Sequence, residues 1–517
     1  MSSNKAIRRL FEKRKISRRG FIALASHAAA FIAAGTTGRA WGSPSSQVII
    51  SRDDELQKND TQDHTLILND ELYGHIYDKL YEQDANGKIV ASLAESYEVS
   101  RDGLAWTFHL KKGIKFQNGE PFNSQSVKAT IERLKDRKLN MSLIWLPLDR
   151  VDTPDEYTAI IRTQEPMGVL LTNVASGGAE MLPPKALTEK GAAFFDKHIG
   201  TGPYKFIEWV KNERFVMERW GDSWDKQAKI DRIIHRPILE ESTRIAALRR
   251  GEIDIAENVP PEQLKLLEAE GKFTFLRVTT WDQLHLGLKC DQPPFTNKLA
   301  RQAMNYAVDR ESLVNKILLG GRPSVAAASQ GLIGYHPGLK LFPYDPEKAK
   351  MMLREAGYKG EKLRFIGPQA WYPKMPEVEQ ALAGQFRAAG LNVELLPMEG
   401  AAFTAARRAG TYNIYVTGAA LADLDVLLVP RVVQDMFKSG YKNEELFKLI
   451  LAGRREVDQA KRQKIYEQAQ EIMYEEAAPF IWLYQMEQIN AIKKSIKGYF
   501  LRPTKRWSLR EAEVVSN

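Results

Sequence analysis

Cysteine is almost absent: Cys290 is the only one in 517 residues. One thiol cannot close a disulfide within the chain, nor build a Cys-rich metal site. It also stands far downstream of the N-terminal apolar run, which excludes a lipid-anchoring cysteine there. Cys290 reads as a small buried hydrophobe. Histidine is scarce as well, with eight residues at 27, 64, 75, 109, 198, 235, 285 and 336. They form no HExxH and no close pair at helical ligand spacing. There is no Walker loop and no dinucleotide fingerprint opening a helix after a strand. The glycine-rich GTGPY stretch from Gly200 to Tyr204 runs into Pro-Tyr, so it reads as a structural turn and not as a phosphate cradle. Ser176-Gly177-Gly178 lacks the glycine pattern of a nucleophile elbow. The chain is therefore expected to be no enzyme, with no cofactor and no metal.

Long apolar runs are missing too. The longest candidate, Phe21 to Ala34, is interrupted by Ser26 and His27 and falls short of the ~20 residues that a spanning helix needs. It follows a basic head and precedes small residues (Gly38, Ala40, Gly42), which is the layout of a cleavable export signal. Ser17-Arg18-Arg19-Gly20-Phe21-Ile22 fits the twin-arginine form of that signal. The competing reading is a basic amphipathic anchor lying on the inner membrane. Charge supports the address label. The whole chain carries +9, and residues 1–40 hold nine basic residues against Glu12 alone. The remainder is near neutral, so the basic balance gives no reason to expect a nucleic acid. The expected product is exported to the periplasm, free of a lipid anchor and monomeric.

What is present points to a large α/β protein. Single cores stop growing near ~250–300 residues, so a chain of this length needs at least two lobes. Helical and strand patterns alternate from residue 64 onward. Ser242 to Gly251 reads as a short helix closed by a left-handed glycine, followed by GEIDIAENV with strand periodicity. Asp309 and Asp345 are expected to cap helices, and Pro346 suits a first helical turn. MPEVEQALAGQFRAAG, from Met375, reads as a helix stopped by Gly390, and 458–474 as a long helix. APFIWLYQMEQINAI, from Ala478, is expected to be a pair of apolar strands. Ten tryptophans are many. Trp145, Trp281, Trp371 and Trp482 sit in loop-like or strand-end contexts, where rings give binding area at low entropic cost. Plain core packing is the alternative for each.

An ordered series of motifs resembles one family, the extracytoplasmic solute-binding proteins of ABC importers in the peptide and nickel branch. The series begins with ASLAESYEVSRDGLAWTFHLKKGIKFQNGEPFNSQSVKATIERL (from Ala91). DTPDEYTAIIR (Asp152), IGTGPYKFIEW (Ile199) and ALRRGEIDIAENVPPE (Ala247) follow. LGLKCDQPPFTNKLARQAMNYAVDRESLV (Leu286) and YDPEKAKMMLREAGY (Tyr344) complete it. The resemblance implies a two-lobed periplasmic binding protein fold with an extra subdomain on the first lobe. Its domains would be a signal at 1–42, lobe I at 43–278 plus 486–517, and lobe II at 279–485. The hinge strands would lie near Thr279–Leu286 and Trp482–Ile489. A peptide or peptide-like solute would be captured between the lobes and delivered to a membrane permease and its ATPase subunits. An oligosaccharide, opine or metal chelate is the alternative ligand. An exported hydrolase and a periplasmic chaperone on the same scaffold are the competing classes.

In peptide-binding relatives an aspartate of lobe II pairs with the ligand amine, in a segment that usually carries a tryptophan and an Asp-Pro. The matching segment here, VTGAALADLDVLLVP (Val416 to Pro430), keeps Asp423 and Asp425 but has neither of the other features. The resemblance thus implies Asp423 or Asp425 as the partner of a cationic group. Tyr73, Trp281, Trp371 and Tyr484 are the further cleft candidates, chosen for their places near strand ends and hinges.

Overall fold

The computed structural model describes residues 46–515, apart from 57, 65, 66, 370 and 420–422. The export signal read at 1–42 lies outside them. In chain order the elements that frame the molecule are β1 (Gln47–Ser51), α1 (Ile67–Ile76), β2 (Tyr204–Val210), β3 (Arg214–Arg219), β4 (Arg232–His235), α2 (Glu241–Arg250), β5 (Ile255–Ala256) and β6 (Phe273–Leu288). They continue with β7 (Leu363–Pro368), α3 (Met375–Ala388), β8 (Val393–Met398), α4 (Gly400–Ala409), β9 (Ile414–Ala419), α5 (Gln459–Glu476) and β10 (Phe480–Lys493).

Local chemistry sets the boundaries. The Glu240 side chain accepts from the amides of Ser242 and Thr243 at the start of α2, and Gly251 ends it with φ 77°. Asp309 accepts from the Ser312 amide, and Asp345 from the Lys348 amide. The helix that Asp309 starts widens into a π turn over Leu313–Leu318 and ends at left-handed Leu319. Gly200 is indeed a packing residue, because a Cβ there would overlap the carbonyl oxygen of Ile76.

Two expectations change in detail. The GEIDIAENV segment forms a ladder only at Ile255–Ala256, between β1 and β10. The expected strand pair after Ala478 is a single fourteen-residue strand, β10. No turn residue interrupts it. Its long apolar run reflects burial on both faces, which removes the alternation that would mark a half-exposed strand.

An eleven-stranded sheet runs through the molecule in the order β8-β7-β9-β6-β10-β5-β1-β4-β3-β2, with Arg322–Pro323 pairing on β10. β6 and β10 are antiparallel from Phe273↔Lys493 to Gly287↔Phe480, and the register shifts between Thr279 and Gln283. That shift lies within the segments expected as hinge strands. The apolar side chains form separate cores on the two sides. One gathers lobe II, from Trp281 to Met486. Another gathers Val48, Leu72, Phe215 and Ile492 with Trp507 and Leu509 of the C-terminal tail. A third lies under a four-stranded antiparallel sheet made by 94–99, 105–110, 158–163 and 148–155, with Trp106, Phe108 and Trp145 inside. This is the extra subdomain. The tail is tied to lobe I by Arg506 on Asp70 and by Arg510 on Asp78.

Candidate ligand cleft

The sheet order puts the loops after β1 and β5, the start of α3 and the middle of β10 around one cavity of about 790 Å3. That size suits a small solute. Lobe I contributes Arg52, Asp53, Asp54, Glu241 and Asn258; lobe II contributes Trp371, Tyr372 and Lys374; Tyr484, Met486 and Gln488 of β10 line it between them. A second cavity, about 630 Å3, lies within lobe I against α1 and the C-terminal tail. Only the first touches both lobes, so only it can couple ligand binding to lobe closure.

The lobe I wall is acidic. The Arg52 guanidinium donates to Glu71 at 2.7 Å. It lies 3.7 Å from Glu257 and 3.0 Å from Asp54. Three carboxylates therefore surround one cation, and Asp53 adds a fourth at the cavity edge. Burial raises the Glu71 carboxyl and holds that of Glu257 well above the usual range, with Glu71 adding to the push. Glu257 Oε2 accepts from Gln488 at 3.3 Å, whereas Oε1 has no partner among the described residues. At the cavity itself the acidic side chains of this wall are Asp53, Asp54 and Glu241, beside Arg52, Arg244 and Lys505.

The lobe II wall is aromatic. Trp371 is 44 % exposed and meets Phe403 edge-on at 5.3 Å. Tyr372 covers Gly418, where a Cβ would strike its ring. Lys374, left-handed at φ 52° before α3, reaches across to Glu262 of lobe I at 3.1 Å.

Of the residues singled out in the sequence, Trp371 and Tyr484 line this cavity. Trp281 lies elsewhere between the lobes: its indole donates to the Gln330 carbonyl at 3.1 Å, and the ring packs on Gly87 of lobe I and Gly331 of lobe II. Tyr73 is not on the cavity. It is buried in lobe I on α1, and its hydroxyl donates to the Lys58 carbonyl at 2.6 Å. Asp423 and Asp425 are not on it either. Both Asp423 oxygens accept from Arg462 at 2.6 Å, so its charge is already used to hold α5. Asp425 is buried, and its carboxyl is pushed up to about 6 by desolvation and by Asp423. No sequence motif singles out Arg52-Asp53-Asp54. Their position directly after a strand, at its C-terminal end, was the available signal.

The chain is similar over nearly its whole length to known proteins. The glutathione-binding protein GsiB of Pectobacterium atrosepticum is 27 % identical over 503 residues, covering 93 % of this chain and 98 % of that one. The periplasmic binding protein DppA of Helicobacter pylori, solved with the peptide STSA, superposes with a TM-score of 0.75 at 24 % identity, over 91 % of this chain and 98 % of that one. AgaA from A. tumefaciens R10, solved with agropinic acid, gives a TM-score of 0.74 at 26 % identity over 91 % and 99 %. The family model for bacterial extracellular solute-binding proteins, family 5, matches residues 88–428. The chain therefore belongs to that family, the solute-capturing components of ABC importers, and is a binder and not an enzyme.

Proposed function

We propose that the protein captures a peptide-like solute between its lobes in the periplasm and presents it, as a monomer, to an inner-membrane permease. The observation that carries this reading is the cavity between the lobes, acidic on one side and aromatic on the other. A ligand amine would face Asp53 and Asp54, and its side chains would lie on Trp371 and Tyr484. Asp423 and Tyr73 would serve structure instead. The kinship with a glutathione-binding protein agrees with a short peptide. Lobe I would comprise 43–278 with 486–517, and lobe II 279–485. The two lobes would close around the solute, because a ligand touching both favours the closed state. Export would use the twin-arginine segment around Arg18 and Arg19.

A thermal-shift series on the mature protein tests the ligand class. Trialanine, glutathione, maltotriose and a nickel–histidine chelate would each be added at rising concentration. A ligand at 100 times its Kd stabilises by about 2.7 kcal/mol. A shift with the peptides alone is the expected result; a shift with maltotriose or the chelate alone overturns the peptide reading. Replacing Arg18 and Arg19 with lysine should hold precursor in the cytoplasm, and normal export of that variant removes the twin-arginine assignment.

A further inference from the structure

We propose that Arg407 and Arg431 form a cradle in lobe II that receives a carboxylate of the bound solute. The inference rests on the reading of the cleft as a peptide-like site and names the charge its ligand must carry.

Arg407 lies on the last turn of α4 and is only 6 % exposed. Its Cζ stands 4.4 Å from the rings of both Phe403 and Phe437. Arg431, half-buried on the turn after Leu428, approaches Phe437 from another side at 5.6 Å. The other buried arginines all have polar partners, although Arg52 Nε, 3.0 Å from Asp54, makes no hydrogen bond. Arg52, Arg301 and Arg462 hold carboxylates. Arg244 and Arg310 donate to backbone carbonyls. Arg407 and Arg431 differ: among the described residues neither has a carboxylate or any hydrogen-bond acceptor, and Arg407 Nε and Arg431 Nη1 are buried with no partner.

The surrounding rings do not remove this deficit. Cation–π contact uses the flat face of a guanidinium. Its five N–H donors lie in the plane and still need acceptors. A buried charge without such acceptors is unfavourable in the empty protein. The group that answers two guanidinium edges best is a carboxylate, which accepts in bidentate fashion. His285 packs edge-on to Tyr415 nearby, also with both ring nitrogens unpartnered. Burial, together with the two arginines, keeps it neutral, so it adds no third cation.

Neither arginine lines the cavity itself; Arg407 lies behind Trp371, which does. Trp371 and Tyr372 form the aromatic wall of the cavity, and Arg407 Cζ is 5.6 Å from the Trp371 ring. The acidic wall of lobe I stands opposite. A zwitterionic solute would put its ammonium toward Asp53 and Asp54 and its carboxylate past Trp371 into lobe II.

The test uses the full mature protein and three probes: trialanine, trialanine amide, and citrate as a polycarboxylate that is not a peptide. Wild type is compared with Arg407→Met and Arg431→Met, each checked for folding by circular dichroism. Trialanine should bind wild type at least tenfold more tightly than its amide, and each variant should lose that preference. The ligand-free variants should melt at or above the wild-type temperature, because an uncompensated charge has gone; arginines serving only to brace the rings would instead lower it. If neither peptide form binds but citrate raises the wild-type melting temperature and not that of Arg431→Met, the peptide reading fails and the cradle stands. If acid and amide bind alike, or if the variants keep the preference for carboxylates, the cradle is refuted.

Discussion

Asp423 and Asp425 stand two positions apart and have different neighbours. Asp423 is locked in a two-pronged bond with Arg462, itself fully buried. Removing one member of such a pair strands the other charge. Arg462→Met should therefore cost about 3–5 kcal/mol in chemical denaturation, whereas Asp423→Leu combined with Arg462→Met should recover most of that loss. A double variant as unstable as the single one would show that the pair itself is the stabilising unit. Glu379 poses the opposite case. It is buried with both carboxyl oxygens lacking partners among the described residues, and desolvation pushes its pKa up to about 7. The folded protein then keeps a proton that the unfolded chain releases near pH 4.5. Stability from this site is full below that pH and declines as pH rises through 7. Wild type should lose about 1–3 kcal/mol over that interval relative to Glu379→Gln, measured by urea unfolding at several pH values. Parallel pH profiles would place the proton elsewhere.

Elements whose limits depend on near neighbours were legible from sequence. The caps at Asp309 and Asp345 and the stop at Gly251 are bonds within three or four residues, and residue type suffices to find them. Joints made across the chain were not. Arg52 meets Glu257, Arg462 meets Asp423, and Lys374 meets Glu262 through folding alone, and no local pattern marks these pairs. The site divides in the same way. Aromatic residues near strand ends and hinges pointed to Trp371 and Tyr484, while no local pattern marked the acidic wall of Asp53, Asp54 and Glu241. Trp281 shows an element-scale consequence. Its ring, carried on β6 at the register shift, fills the space against Gly87, whose φ is 82°. Gly87→Ala adds a methyl that overlaps the indole and a Cβ in a left-handed position. Calorimetry should show a loss of about 1–3 kcal/mol. Trp281→Gly in the same background should relieve the clash, so that the second change costs less than it does in wild type; strictly additive costs would separate the two residues.

At the scale of the whole molecule, two cores share one sheet through β6 and β10, and elsewhere Glu165 and Gly168 of lobe I meet Arg454 and Arg455 of lobe II, the Gly168 amide donating to the Arg454 carbonyl. The Lys374–Glu262 bridge is solvent-accessible and contributes at most about 1 kcal/mol. It can bias the lobes toward each other but cannot hold them shut against thermal motion. A solute that touches both walls would add to that bias, and the scarcity of cysteine makes that measurable. Cys290 is 8 % exposed, and burial pushes its thiol up to about 12, so it will not compete for maleimide dyes. Ile207 in lobe I and Met351 in lobe II are 44 % and 64 % exposed, and both accept engineered cysteines. Dyes at these positions should show energy transfer that changes as trialanine saturates the cleft. A ligand preferring the closed form about tenfold would move an evenly divided population to about ten to one. Lys374→Ala should shift the ligand-free signal toward the open state and weaken trialanine binding only slightly, since it alters the population of closed molecules and leaves the walls intact. Unchanged transfer at a trialanine concentration that raises the melting temperature would mean that the solute binds without drawing the lobes together.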